Sequence, residues 1–531
     1  MKKTMKQHSF TSQLKSLAFV FGIAMVFASC ANEDVAQNPT NPNEDNDKNL
    51  TTFVAGDETK TRTSMDYNSG DFYWEAGDYI YVKDDNNVWQ KSTNAPTSKV
   101  ASFKYKVPGK FTASTSYKVY YLGKNSNGSQ VKISDKQYQT APDNTEHFGE
   151  SGDYGSATAN KITGKQQFSF TLEHQPAYLI FQPYTSNTVL HDCYLTKIEV
   201  TSDNDIAETY TINTSTDNLD GSVGGKQIVL TTKSTSGAYT NGFPLTNSSA
   251  SRTTNGAYMI IKPGTHILRV RYWVKDIVTN IEGTITKLLP STAYASNTYY
   301  DMTANLNIRN YDGGKYYMWD AQQNYWAGHE WNSASPWQPV LNNQSNGNYA
   351  QSYTDPRYWN RSYPGYGISN PATHSSCKDL PNANELSWYC VYGDPRWDAD
   401  ELWTTMGHLY KGGMWFKKKS VLLAEHHYDT EKSADNTTDI RTTYKDYSNY
   451  SSSIYYSGLP SAAEANNYFY LPTLGYYYYG QLNSVGYGHY WSSSANPWGG
   501  GYAYYLYFYS NRVYVDREHR SNGFRVEPTF E

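Results

Sequence analysis

Near the end of the chain, the segment "YAYYLYFYSNRVYVD" (residues 502–516) places a tyrosine at almost every second position. Successive side chains of a β-strand point to opposite faces, so such a row separates into two sets. Leucine, phenylalanine and valine mark one set as core: Tyr504, Leu506, Phe508, Val513 and Val515. The other set then faces outward: Tyr505, Tyr507, Tyr509, Arg512, Tyr514 and Asp516, with Arg517, His519 and Ser521 close by. We predict two strands joined by a turn at Ser510–Asn511.

The residue types of the outward set indicate non-covalent recognition. Tyrosine and arginine offer a large contact area with a polar tip, and tyrosine loses little entropy on ordering. An exposed aromatic patch of this size is unusual on an idle surface. The glycine-rich segment 495–501 is expected to border the same surface. A second interpretation stays open, in which the tyrosines pack against "YYYYG" (476–480) or against a neighbouring domain.

No catalytic motif accompanies this row. The sequence contains no Gly-x-Ser-x-Gly, no His-Glu-x-x-His and no phosphate-binding loop. Two polar segments, "EHHYD" (425–429) and "DPRWDADE" (394–401), could attract a metal ion. Solvation of the first and helix capping in the second explain them without one. We therefore expect no catalytic residue, no metal site and no cofactor, and a protein that is not an enzyme.

Three helix starts are predicted between residues 380 and 470, each by a capping residue followed three positions later by glutamate. The pairs are Asn382 with Glu385, Asp398 with Glu401, and Ser461 with Glu464. In the second helix one face would carry Leu402, Met406 and Leu409, and Gly412–Gly413 would end it. Strands and glycine-rich loops follow residue 468, so residues 309–531 are expected to form an α+β domain.

Three cysteines follow residue 30. Cys193 stands alone and is expected to be a small buried apolar residue. Cys377 and Cys390 are close in sequence, and an oxidising export route would allow a disulfide between them. The alternative is that the first predicted helix turns Cys390 into the core.

The composition of the chain changes near residue 309. Residues 1–308 hold 20 tyrosines and 3 tryptophans, whereas residues 309–531 hold 32 and 11. Before the change, short apolar alternations broken by Gly, Asn, Asp and Ser predict strands. These segments are 78–84, 116–123, 166–173, 177–184, 196–202, 258–264 and 266–274. So many short strands indicate that residues 51–308 form an all-β region of two β-sandwich domains.

The first fifty residues are typical of an exported protein. Lysines and an apolar run from Leu17 to Phe27 predict a signal peptide over residues 1–30. The run ends in "FASC", which resembles a bacterial lipobox and would make Cys30 a lipidated anchor in the outer membrane. Ordinary secretion is the alternative. Residues 31–50 predict a disordered tether, and a net charge of −5 without a basic stripe argues against a nucleic acid partner.

The segment "TRTSMDYNSGDFYWEAGDYIYV" (61–82) resembles the opening of fimbrillin-type domains of Bacteroidetes pili. The resemblance implies two transthyretin-like β-sandwich domains and assembly with other pilus subunits by donor-strand exchange. In that family a protease cleaves after an arginine, an N-terminal strand leaves, and a neighbouring subunit fills the groove. Arg62 is the first arginine of this chain, and cleavage there would remove "TTFVAG" (51–56). Arg62 as an ordinary surface residue is the alternative.

Residues 309–531 resemble a C-type-lectin-like domain of Bacteroidetes surface proteins. The resemblance rests on "WDAQQNYWAGHEW" (319–331) and on residues 380–420, 459–482 and 490–528. It implies a fold related to formylglycine-generating enzymes and to the variable proteins of diversity-generating retroelements, with a variable region at about 489–522. Such retroelements rewrite adenines, typically in asparagine codons. All nine outward residues are reachable from an asparagine codon, whereas Glu518 is not.

These features predict a surface lipoprotein or pilus-tip subunit. Residues 51–308 would form the stalk, and residues 309–531 would form a diversified adhesin head that binds an unknown surface protein or glycan. Two alternatives stay open: a lipid-anchored capture protein outside any pilus, and an enzyme of the formylglycine-generating type.

Overall fold

The structure is a computed structural model that describes residues 6–9, 49–56, 64–66, 71–213, 215–360 and 371–527. Cys30, Arg62 and the tether up to residue 48 lie outside the described residues. Several separate β-sheets make up most of the regular structure, which confirms the β-rich multidomain class. None of the described helices combines the length and the hydropathy that a bilayer crossing requires.

An eight-stranded sheet organises the first part of the chain. The strands up to residue 174 are β1 (Lys6–Ser9), β2 (Leu50–Ala55), β3 (Ser64–Asp66), β4 (Asp71–Tyr73), β5 (Tyr81–Lys83), β6 (Trp89–Lys91), β7 (Phe103–Pro108), β8 (Ser116–Tyr121), β9 (Gln130–Ile133), β10 (Lys136–Tyr138), β11 (Gly155–Lys161), β12 (Gln167–Phe170) and β13 (Glu173–His174). The sheet has the order β6-β5-β8-β11-β12-β2-β7, with β13 beside β11. Strand β2 lies inside it, parallel to β12 and antiparallel to β7. Its Phe53 and Ala55 are fully buried in an aromatic core.

The next part pairs two sheets around one core. Its strands are β14 (Ala177–Tyr184), β15 (Cys193–Ser202), β16 (Ala207–Ile212), β17 (Leu219–Gly225), β18 (Gln227–Thr231), β19 (Phe243–Pro244), β20 (Ala257–Ile261), β21 (Gly264–Asp276), β22 (Glu282–Tyr294) and β23 (Thr298–Asn305). A short helix, α1 (Phe148–Ser151), precedes these strands, and another, α2 (Arg252–Asn255), lies between β19 and β20. One sheet has the order β1-β23-β14-β20, and β15, β21 and β22 belong to a larger one. Buried side chains of both sheets share a hydrophobic core. All seven strands predicted before residue 309 are present.

A six-stranded sheet carries the tyrosine row. The last elements are β24 (Arg309–Tyr311), β25 (Tyr316–Tyr317), α3 (Ala383–Tyr392), β26 (Arg396–Thr405), β27 (His408–Lys417), α4 (Lys419–Ala424), β28 (Tyr447–Tyr450), α5 (Ser452–Tyr456), β29 (Tyr468–Pro472), β30 (Tyr476–Tyr478), β31 (Gln481–Asn483), β32 (Gly488–Ala495), β33 (Tyr502–Tyr509), β34 (Arg512–His519) and β35 (Phe524–Arg525). The sheet has the order β25-β35-β32-β33-β34-β28. Helix α3 packs on its inner side, where Leu386 and Tyr389 join Leu506 and Phe508 in one buried core.

The start of α3 is the predicted capping box. The Asn382 side chain accepts from the Glu385 amide at 3.0 Å, and the Glu385 carboxylate accepts from the Asn382 amide at 2.6 Å. Two orphan amides at the helix start are therefore satisfied reciprocally. The first of the three helix predictions is confirmed.

The second helix prediction, at 398–401, is wrong. Residues 396–405 and 408–417 form a β-hairpin, whose turn uses positive φ angles of 49° at Met406 and 78° at Gly407. Asp398 does cap local amides, accepting from Asp400 at 3.0 Å and from Glu401 at 3.2 Å. Those bonds close an irregularity in β26 instead of starting a helix. Asp side chains favour helix caps and turns through the same short-range bond, so the sequence signal was ambiguous.

Two further predictions, the helix after Ser461 and the disulfide between Cys377 and Cys390, are also wrong. Ser461 and Glu464 do bond each other, with Ser461 Oγ donating to Glu464 Oε2 at 2.6 Å, but only a turn and a short 3-10 helix at Ala465–Asn467 follow. The disulfide between Cys377 and Cys390 is absent, because both thiols are free and buried in different hydrophobic clusters. Helix α3 does turn Cys390 into the core, which was the stated alternative.

Strands from both sides of residue 309 join in one sheet. The ten-stranded sheet includes β21-β22-β26-β27-β29, and Thr284 of β22 lies opposite Glu401 of β26. Arg271 Nη2 and Asp398 Oδ1 form an ion pair at 2.9 Å, with side-chain exposures of 8% and 1%. Burial first, and then the neighbouring charge of Asp398, raise the pKa of Glu401 to about 7. The segments before and after residue 309 therefore meet through one sheet and a buried charge cluster.

Candidate ligand-recognition surface

The β33–β34 hairpin separates its side chains as the period of two predicts. Its register pairs Tyr505 with Asp516, Tyr507 with Tyr514, and Tyr509 with Arg512. These six half-buried residues define the outward face. The opposite side is fully buried: Tyr504, Leu506, Phe508, Val513 and Val515. The prediction of one core face and one polar aromatic face is confirmed for these eleven positions.

Adjacent strands extend the outward face with residues that the sequence reasoning missed. His489 of β32 lies opposite Tyr507, and its ring centroid is 4.8 Å from that of Tyr507. Tyr487, just before β32, stacks near Tyr507 at 6.1 Å. Tyr450 of β28 lies opposite Arg512 and is 64% exposed. In the sequence, the alternating polar and apolar residues His489, Tyr490 and Trp491 indicate the strand β32.

The rings of the outward face support one another. Tyr507 lies 6.2 Å from Tyr505, 5.5 Å from Tyr509 and 5.7 Å from Tyr514 between centroids. Arg512 lies 4.1 Å from the Tyr450 ring and donates from Nη1 to the Tyr514 hydroxyl at 2.8 Å. Such offset aromatic and cation–π contacts hold side chains in place before any ligand arrives.

Neighbouring side chains cover the Tyr505 end of the outward face more than the Tyr509 end. The Tyr505 ring is 5.0 Å from Phe524, and burial raises the pKa of its hydroxyl. His489 beneath it is buried, which lowers its pKa to about 3, so it is neutral at physiological pH. Tyr476, from the "YYYYG" segment, packs on His489 at 4.4 Å. Packing against that segment thus involves the Tyr505 end, and the Tyr509 end remains open.

Arg517 and His519 lie on the other side of the hairpin. The register places Arg517 opposite Tyr504 and His519 opposite Tyr502, because side chains alternate along β34. Their predicted place beside the outward face is therefore corrected. By the same register Glu518 lies opposite Ala503, in line with Asp516. Ser521 is half-buried in the turn after β34.

A second aromatic group surrounds Arg517. It consists of Tyr444, Trp498, Tyr502, Arg517 and His519, which we call the Trp498 cluster. The Arg517 guanidinium lies 4.3 Å from the Tyr444 ring, 4.5 Å from Trp498 and 5.8 Å from Tyr502. Trp498 belongs to the glycine-rich segment 495–501 and is 63% exposed. That segment therefore borders the side opposite the outward face.

The histidines, cysteines and acidic residues of the described segments do not gather into a metal site. Among them no three His, Cys, Asp or Glu side chains gather closely enough to hold a metal ion. In "EHHYD", the His427 ring stacks on Tyr392 at 4.1 Å. Burial raises the pKa of the Cys377 and Cys390 thiols to about 12, which keeps both protonated. A thiolate nucleophile requires the opposite shift.

No family model and no curated protein matches the chain. A solved structure of a candidate cell adhesion protein from Bacteroides ovatus is 12% identical over 49% of this chain and 93% of its own, with a TM-score of 0.29. The fimbrial anchor protein Mfa2 from Porphyromonas gingivalis is 12% identical over 46% and 82%, with a TM-score of 0.22. A fimbrial protein from Bacteroides ovatus is 10% identical over 90% and 98%, with a TM-score of 0.23. At these TM-scores the likeness carries no argument about the fold or the activity of this chain.

Proposed function

We propose that this protein is a non-enzymatic cell-surface adhesin that binds a surface protein or glycan through the outward face. One observation carries the proposal: two paired strands present only tyrosine, arginine and aspartate at six positions on one side, and the five positions from Tyr504 to Val515 on the other side hold only buried core side chains. Selection for stability alone does not require that composition on a half-buried face. Tyrosine and arginine are the residues that dominate binding energy at recognition surfaces.

The charge of Arg512 supports recognition over packing. Among the described residues it makes no ion pair, and its contacts are tyrosines. A cation held by aromatic rings at the rim of a preorganised surface is available to a ligand carboxylate or carbonyl. A face built only for packing would gain from apolar residues at the same positions, because they have no polar group to desolvate.

We further propose that the outward face is diversified among copies of this protein. Sequencing of the codons for residues 480–531 across a natural population of the source bacterium tests that diversification. We expect substitutions at the outward face, with Leu506, Phe508, Val513 and Val515 unchanged, because core positions tolerate few replacements. A uniform segment, or changes spread evenly over both sides of the hairpin, would contradict a diversified adhesin.

For the stalk we propose assembly into a pilus by donor-strand exchange, after cleavage at Arg62. The position of β2 supports this proposal. Phe53 stacks 5.1 Å from Phe168 and meets Phe111 at 5.0 Å, and β2 hydrogen-bonds to strands on both sides. Its removal would expose an apolar groove with unpaired backbone groups, which an added strand satisfies. The alternative is a lipid-anchored capture protein that keeps β2.

The N-terminal residue of the surface-extracted protein separates these two candidates. If the subunit assembles, we expect mass spectrometry to find an N-terminus at Thr63, and an Arg62→Ala variant to remain unprocessed and outside the pilus fraction. An acylated Cys30 at the N-terminus, in protein whose residues 51–62 remain attached, would instead identify the lipid-anchored capture protein.

A further inference from the structure

The Arg517 and Trp498 side chains of the Trp498 cluster do not belong to the outward face, and the two surfaces meet where the Tyr444 hydroxyl donates to Asp516 Oδ1 at 3.4 Å. Arg517 and Asp516 are consecutive residues whose side chains leave β34 in opposite directions. The tryptophan itself comes from the segment that connects β32 to β33. This cluster therefore needs an explanation of its own.

Arg517 carries a positive charge without a partner. Among the described residues it forms no ion pair, and its Nη1 atom is buried without a hydrogen-bond acceptor. Three aromatic rings hold the guanidinium within 4.3 to 5.8 Å. A ligand that approaches the rest of the guanidinium therefore meets a charge that no carboxylate of the described residues pairs with, and a carboxylate matches the planar guanidinium best.

Trp498 adds a flat apolar surface beside that charge. Its indole is 63% exposed, which is unusual for a tryptophan. Two hydrogen bonds order the segment 495–501. The Trp498 amide donates to Asn496 Oδ1 at 3.0 Å, and the Tyr502 amide donates to the Gly499 carbonyl at 3.0 Å. The indole is therefore presented to solvent by a hydrogen-bonded turn.

Polar groups at the rim complete the cluster. The Tyr444 hydroxyl lies 3.4 Å from Asp516 Oδ1, and the Tyr502 hydroxyl lies 3.4 Å from His519 Nε2. These groups can accept from or donate to the hydroxyls of a ligand. A bare inorganic anion would use Arg517 alone and leave the indole and the rim without a contact.

We propose that the Trp498 cluster binds an acidic sugar, a pyranose that carries a carboxylate. The carboxylate pairs with Arg517, the C–H face of the sugar ring lies on the Trp498 indole, and the ring hydroxyls bond the rim. The negative face of an aromatic ring attracts the positive hydrogens of a C–H face. Arg517 and Trp498, which carry this proposal, are not part of the outward face, so either proposal can fail alone.

The test compares methyl β-D-glucuronide with methyl β-D-glucoside, which differ by a carboxylate in place of a hydroxymethyl group. Binding to the mature chain is followed by NMR titration and by tryptophan fluorescence. We expect the glucuronide to bind at least roughly tenfold more tightly, which corresponds to one charge-assisted hydrogen bond. Raising the salt concentration should reduce the difference.

Matched variants show which residues determine the binding of the two sugars. Arg517→Gln should remove the preference for the glucuronide, and Trp498→Ala should weaken both sugars without unfolding the protein, because the indole is mostly exposed. Arg309→Gln, at an exposed arginine over the Tyr311 ring and outside both surfaces, should change neither. Equal binding of the two sugars, no binding of either, or an equal effect of Arg309→Gln would overturn the proposal. A hexa-aspartate peptide that binds as tightly as the glucuronide would overturn the sugar class.

Discussion

Replacing Asp398 by alanine is expected to lower the free energy of unfolding by about 3–5 kcal/mol, the cost of leaving one member of a buried ion pair alone. Arg271 is that member, and its side chain is 8% exposed. Asp398 also accepts from Trp415 Nε1 at 3.1 Å, so the same change orphans a second donor. Equilibrium denaturation of wild-type and variant protein measures the difference.

The neighbouring Asp400 provides the control. Its carboxylate pairs with Lys411 at 3.3 Å, with side-chain exposures of 32% and 42%. Because solvent screens such a pair, Asp400→Ala should cost less than about 1 kcal/mol. A double replacement, Arg271→Met with Asp398→Leu, should recover part of the loss, since the Arg271 charge is no longer left unpaired. Glu401 keeps its hydrogen bonds from Thr286 but loses the neighbouring cation. Equal costs for Asp398→Ala and Asp400→Ala would show that the buried pair does not hold the junction.

Replacing Phe508 by alanine is expected to cost about 3–5 kcal/mol of stability, as for other large core side chains. Phe508 is fully buried, stacks on Tyr490 at 5.8 Å and meets Phe416 at 5.6 Å. Replacing Tyr507, the preceding residue, by alanine should cost less, about 1–2 kcal/mol, because its ring is half-buried and leaves no cavity in the core. Thermal or denaturant unfolding of the two variants makes the comparison.

This pair of variants decides between recognition and packing for the tyrosine row. If the outward face serves recognition, Tyr507→Ala leaves a stable, folded protein. If Tyr507→Ala destabilises the protein as much as Phe508→Ala, the outward tyrosines hold the sheet together, and the recognition proposal loses its support. Tyr353→Ala, at a tyrosine that is 68% exposed and lies outside the sheet, sets the baseline for replacing a mostly exposed ring.

Short-range patterns predicted the elements that depend only on neighbours in the sequence. The capping box at Asn382 and Glu385 formed as expected, because both of its bonds lie within three residues. The same signal at Asp398 misled, because its local bonds fit a helix start and an irregular strand equally well. Residues 396–405 form a strand because they pair with β27 and because Asp398 forms an ion pair with Arg271, a residue 127 positions away.

By itself the sequence determined which side of the tyrosine row is core and which is polar, since a strand's period of two links neighbouring residues rigidly. The same rule puts Arg517 on the side opposite to Asp516, although we predicted Arg517 beside the outward face. Only the tertiary structure decided that Arg517 emerges beside Trp498 and Tyr444 instead of in the core. The reason is that strand alternation determines only the side of the sheet to which the Arg517 side chain points. Its neighbours on that side, Trp498 and Tyr444, come from segments that lie 19 and 73 residues earlier in the chain.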